Sequence, residues 1–335
     1  MIDVKNLTPE QRRLTLQRLT ALWAFSESGL GGVLHALQVP FTGLVVGGLA
    51  IILISFIGYI APKNSTELLK SLVLVLLVKA VVSPHTPFPA YIAVGFQGLL
   101  GFGLFRLFRV NLITILFFSV TAMIESAVQK LLILTLFFGQ SFWKATDELI
   151  RFIGKQFSVS INAGSYWLIG LYILIYFIGG VVTAVLTYRL IFSQTEAVQP
   201  MPQYFSAEKK GEQIRRSYVQ RFTILLLFAV VLSIILFFFD KQPALAMVKP
   251  IVWTLTAILV WYGLLTPLFS RLLQSLLQKN RNKYNNQLNS TLALLPVFRT
   301  LTTQAWINSK TAHGWRRVPL FLRTLLSWSL TYTES

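Results

Sequence analysis

The chain has 335 residues, 54% of them hydrophobic and 13% charged, with a mean hydropathy of +0.63. A soluble domain holds about 45–50% apolar and about 25% charged residues, so the composition reads as an integral membrane protein. The net charge of +18 must be weighed against membrane topology before nucleic acid is considered, and the absence of cysteine excludes disulfides and thiol chemistry.

In chain order, residues 1–20 carry Asp3, Lys5, Glu10, Arg12, Arg13 and Arg18, and read as a cytoplasmic arm rather than a secretory signal. Residues 21–40 (ALWAFSESGLGGVLHALQVP) are ambiguous, because Ser26, Glu27, Ser28 and His35 interrupt an otherwise apolar run. Clear apolar runs follow at 43–60, 68–83, 90–107, 112–138, 166–192, 222–239 and 244–268, each near the roughly 20 residues that cross a bilayer as a helix. The turn PHTPFP, 84–89, breaks the pattern sharply, since proline cannot continue a helix interior. Glycines 95, 98 and 101 then permit close helix packing. Residues 139–165 predict an amphipathic helix over an outer mouth, with Trp143, Leu149, Ile150, Phe152, Ile153 and Phe157 at roughly helical spacing. Residues 193–221 form a polar linker with Pro200 and Pro202, two spans follow over 222–268, and 271–335 reads as two basic amphipathic helices interrupted at Pro296.

Charge sets the orientation. The tail from 271 holds nine Lys or Arg, and 189–221 holds six, which places both on the cytoplasmic side. The arm at 1–20 joins them only if 21–40 also crosses. The expected architecture is therefore all-α with about eight transmembrane helices, a six-helix bundle over 21–192 plus two spans, both termini inside, in a bacterial cytoplasmic membrane. Most of the basic excess is then topology, and no nucleic-acid partner is implied; lipids are.

No Walker A motif, no H-E-x-x-H and no G-x-S-x-G occurs, and three histidines with scattered carboxylates predict neither a metal site nor a cofactor. The chain is expected not to be an enzyme. What remains is polarity inside the spans, which by default marks a site. His35, Lys79, His85, Gln97, Glu125 and Trp143 are the candidate solute-binding residues, gathered by the expected topology in the outer half of the bundle. Trp167 and Tyr91 would add walls. The plainer account is a local ion pair, Glu125 with Lys79 or Lys130, that only fixes packing. Ser28, Gly32 and Ala36, and Gly43 with Gly47, form small-residue ladders suited to helix packing or to docking a second membrane protein.

Six short helices, the loop and helix PHTPFPAYIAVGFQGLLGFGLF and a first helix rich in small residues resemble the substrate-binding component of energy-coupling factor importers over 21–192. The tail resembles, more weakly, the coupling helices of the transmembrane component of the same transporters. The Ala-Arg-Gly-like signature of those helices has its nearest counterpart in Ala312-His313-Gly314. The resemblance implies capture of a small solute, of the vitamin or metal kind, from outside. It also implies coupling to separate cytoplasmic ATPase subunits through Arg299, Ala312, His313, Gly314, Arg316 and Arg317. Two other readings stay open: a non-catalytic scaffold or assembly subunit of a larger complex, in which Lys79 and Glu125 would pair directly, and an intramembrane lipid-modifying enzyme.

Overall fold

The computed structural model describes residues 7–30, 41–63, 65–83, 86, 88–158, 164–192 and 255–331. The described chain is all-helical: α1 (Pro9–Phe25), α2 (Thr42–Ile60), α3 (Glu67–Val82), α4 (Phe88–Leu107), α5 (Leu112–Gln156), α6 (Gly164–Phe192), α7 (Thr266–Asn308) and α8 (Arg317–Thr331), with no strand among the described residues. Four of these, α2, α4, α5 and α6, are long and apolar enough to cross a membrane. The expected count of eight is not confirmed, since only the described residues bear on it and four of their helices meet this standard. α3 has 16 residues, about 24 Å of helix against a hydrocarbon core of about 30 Å, and α1 is polar on average. The expected spans 222–239 and most of 244–268, together with the linker 193–221, lie outside the described residues.

The chain divides into two compact units: residues 1–125, 176–210 and 275–335 in the first, and 126–175 with 211–274 in the second. In the first unit α2 is the hub. It packs against α1, α3 and α4. A Cβ added at Gly48 would stand 3.6 Å from Met123 Cε of α5 and 3.5 Å from Thr183 Oγ1 of α6. Its residues Ala50, Ile51, Ile54 and Ile57 have no exposure at all, as expected of the helix that the others surround. Close approach is made by small residues. A Cβ at Gly101 of α4 would fall 2.5 Å from Ile54 Cγ2, and one at Gly180 of α6 would fall 2.9 Å from the Cα of Val120. At that contact Ser119 Oγ donates to the Gly180 carbonyl at 2.8 Å.

α1 begins at Pro9, inside the stretch expected to be a free arm. Thr8 caps it: its hydroxyl accepts from the Gln11 amide at 3.2 Å, and the Gln11 side chain accepts from the Thr8 amide at 3.0 Å. The mean polarity of α1 hides a buried stripe containing Leu16, Leu19, Leu22 and Trp23. That stripe packs on α2, α3 and α8. The tail is therefore docked rather than loose. Gln17 Nε2 donates to Ser290 Oγ at 2.9 Å, Arg18 donates to the Leu330 carbonyl, and Phe25 meets Phe298 with ring centroids 6.5 Å apart. The expected interruption at Pro296 does not occur, and α7 runs through it. Proline removes one backbone hydrogen bond, but Val297, Phe298, Leu301 and Ala305 immediately beyond are buried and hold the helix on course.

In the second unit, α5 breaks at Gly139, whose φ of 62° and ψ of −160° lie in a region open essentially to glycine alone. Without the break, a straight helix of 45 residues would run about 68 Å, twice the thickness of a bilayer core. The part after the break folds against the start of α6. The Ser165 amide donates to Asp147 Oδ1 at 2.7 Å, and a Cβ at Gly164 would collide with Ile150. This hydrogen bond, joined by one from the Ser165 side chain and by nearby Arg151, holds the Asp147 carboxyl below its ordinary value. Toward the chain's C-terminal side the unit holds the short apolar helical run Leu255–Leu265, wound as a π-helix over Val260–Leu265, and Trp261 meets Phe137 edge-on with centroids 5.3 Å apart.

Candidate functional site

Beyond Phe25 the first helix widens into a π-helical turn, Ser26–Leu30. The local sequence Ser-Glu-Ser-Gly explains it. Ser26 Oγ donates to the Trp23 carbonyl at 2.8 Å and Ser28 Oγ donates to the Ala24 carbonyl, so hydroxyls satisfy acceptors that α-helical amides would otherwise claim. Gly29 leaves room for the Phe25 ring, since a Cβ there would sit 3.1 Å from Phe25 Cε2. Widened turns of this kind recur at functional sites.

The turn presents Glu27 to α3. Lys79 Nζ donates to Glu27 Oε2 at 2.8 Å, with both side chains about 95% withdrawn from solvent. The Tyr91 ring of α4 lies with its centroid 6.0 Å from the same ammonium, in reach of a cation–π attraction. Ser83, just past α3, donates through Oγ to the Ser28 carbonyl at 3.0 Å and ties the two helix ends together. About two turns toward the other end, Thr20 Oγ1 and Ser71 Oγ share a hydrogen bond at 2.7 Å. The two contacts rise together along both helices, so α1 and α3 run parallel and the pair sits where each approaches its C-terminal end.

A second polar position lies midway along α4. Gln97 is 3% exposed, and a Cβ at Gly47 of α2 would lie 3.3 Å from its Nε2. Its Oε1 is buried without a hydrogen-bond partner, as is Glu125 Oε2 on α5. Buried acceptors of this sort are few in folded proteins, and each calls for an explanation.

The expected solute residues are thus only partly gathered. Lys79 and Gln97 are buried in the first unit, but the partner of Lys79 is Glu27, not Glu125 as the packing alternative had it. Glu27 sits between two serines that widen its helix, a signal present in the sequence that pointed to the turn but not to its partner on α3. Trp143 belongs to the second unit, where its indole donates to Thr135 Oγ1 at 3.1 Å and its ring meets Phe142 edge-on. His35 and His85 lie outside the described residues.

Of the expected coupling residues, Arg299, His313 and Arg316 are exposed. Gly314 takes a φ of 60°, at the start of a short 3-10 turn that leads into α8, and Ala312 ends the preceding 3-10 turn. Arg317 turns inward, its guanidinium 4.0 Å above the Trp306 ring and its Nε donating to Ser309 Oγ at 3.2 Å. It fastens α8 to the end of α7.

Compared with known protein families, with curated proteins and with solved structures, the chain matches none.

Proposed function

We propose that the protein is the membrane component of a small-solute importer, acting with separate cytoplasmic ATPase subunits, and that its solute site is the polar cluster at the ends of α1, α3 and α4. The observation that carries this reading is the Lys79–Glu27 pair, withdrawn from solvent on a widened turn. A buried ion pair contributes little net stability over apolar residues of the same volume, so its retention argues for a role beyond packing. Gln97 Oε1 supports the reading, because it offers an acceptor to a ligand donor while it has none from the protein. A polar solute carrying both a donor and an anionic group would compete for Lys79 and satisfy Gln97. The tail, packed on α1, would link such a site to a cytoplasmic motor.

The direct closure of Lys79 on a carboxylate also favours the second reading, a non-catalytic membrane scaffold in which the pair fixes helix register. Membrane vesicles from cells producing the protein separate the two. An importer accumulates one member of a panel of radiolabelled vitamins and divalent metals when ATP is supplied, and the Glu27→Leu/Lys79→Met double variant does not. A scaffold accumulates none, and the double variant still assembles into its complex.

A further inference from the structure

We propose that the segment after the Gly139 break, residues 140–156, is an interfacial helix that lies flat in the phospholipid headgroup layer with its apolar face in the acyl chains. This differs from a lid closed over a protein mouth, and it stands independently of the transport reading.

The helix has three faces. Asp147 and Ile150, one turn apart, turn toward the start of α6, where Asp147 binds the Ser165 amide and Ile150 fills the space beside Gly164. Lys144, Glu148, Arg151 and Lys155, spaced by four, three and four, make a charged stripe. Glu148, Arg151, Phe152 and Lys155 line a shallow depression of about 200 Å³. The third face carries Leu149, Phe152 and Ile153, with Phe157 just beyond, at 47–75% exposure. Ile150 is thus the apolar side chain that meets α6, while Leu149, Phe152, Ile153 and Phe157 stay exposed. A lid would show the reverse.

The occupant of that outward face follows from what adjoins it. The same unit exposes Leu132 and Leu136 on the spanning half of α5, and Leu168, Leu171 and Leu174 on α6, a surface fit only for acyl chains. Tyr166 and Trp167 are 74% and 76% exposed at the start of α6. Such rings concentrate at the boundary layers of a bilayer, so Tyr166 and Trp167 mark a boundary at the start of α6. Gly139 breaks α5 just before the segment, and Asp147 and Ile150 in its middle meet Ser165 and Gly164 beside Trp167, which holds the segment at that boundary. Arg151 and Lys155 then stand at the level of the lipid phosphates, Phe152 and Leu149 below them. Among the described residues neither basic side chain has a carboxylate within ion-pair distance.

The chain has no cysteine, so single substitutions place one nitroxide spin label at a time. In phospholipid nanodiscs, labels at Leu149→Cys, Phe152→Cys and Ile153→Cys should favour dissolved oxygen over a water-soluble nickel chelate and read about 5–10 Å below the phosphates. Labels at Lys144→Cys, Glu148→Cys and Lys155→Cys should read at or above them. A label at Leu132→Cys reads deep in every preparation that has inserted normally, which separates misfolding from a negative result. Nickel access equal at all six helix positions would overturn the proposal, because the helix would then stand in water. Shielding of Leu149, Phe152 and Ile153 from both reagents would overturn it too, because protein and not lipid would cover the face.

Discussion

The two ends of α3 carry the same chemical contact in opposite surroundings. Near its start, Lys70 Nζ meets Glu67 Oε1 at 2.6 Å with both side chains more than a third exposed; near its end, Lys79 meets Glu27 at 2.8 Å with almost no exposure. The first pair spans three residues of one helix, and water can replace either partner. The second joins residues 52 positions apart and is withdrawn from water, with the Tyr91 ring beside the ammonium. Distance alone would rank the exposed pair higher. Burial reverses the consequence of breaking it, because an unpaired charge left in an apolar interior retains the cost of its lost hydration.

Truncation should break that contrast most visibly. Glu27→Ala leaves the Lys79 ammonium buried and alone, and should destabilise the protein by about 3–5 kcal/mol in a denaturant titration in mixed micelles. The exchanged variant Glu27→Lys/Lys79→Glu should recover part of the loss, and a variant that recovers none would show that the turn, not the charge, sets the effect. Midway along the same helix, Leu72 packs against Gly98 of α4, where an added Cβ would lie 2.5 Å from Leu72 Cδ1. Gly98→Val should cost about 1–3 kcal/mol by overpacking in the same titration. At the exposed end, Lys70→Ala should change stability by about 0–1 kcal/mol, and that small effect should fade further in high salt.

The gentlest test lies in the other unit and uses pH. Asp147 is held below its ordinary value of 3.8 by its bond from Ser165, so its contribution is complete above that value. It is lost as the pH falls through the lower folded value, because protonation removes the acceptor charge. The Ser165 amide should therefore exchange with deuterium increasingly fast, relative to neighbouring α6 amides, as a sample is acidified below 3.8. Asp147→Ala should abolish that dependence.

Much of the helical layout was legible in the sequence. The apolar runs 43–60, 68–83 and 90–107 coincide closely with α2, α3 and α4, because continuous apolarity leaves little choice of conformation, and the onset of polar residues at 139 marks the break in α5. Hydropathy did not separate centre from periphery. The most apolar windows of α2 and α6 average 2.4 and 2.3, yet 61% of the first and 17% of the second is buried. Lipid and protein interior are equally apolar, so the same side chains suit both. The distinction lies in which glycines meet a neighbour, and that is a tertiary fact. The partner of Lys79 was hidden for a related reason. Glu27 follows a helix whose mean composition is polar, and only the positions of Leu16, Leu19, Leu22 and Trp23 on one side reveal that it is packed. The same concealed stripe is why 271–335 reads as a free amphipathic tail when part of it is docked on α1.

That docking sets an order of events during synthesis. Arg18 finds its acceptor at Leu330, a separation of 312 residues, and Gln17 finds Ser290. The first helix leaves the ribosome long before the surface that completes its coat has been made. Those contacts of the first helix are complete only after residue 330 has been made, so the first unit closes late relative to its own first helix.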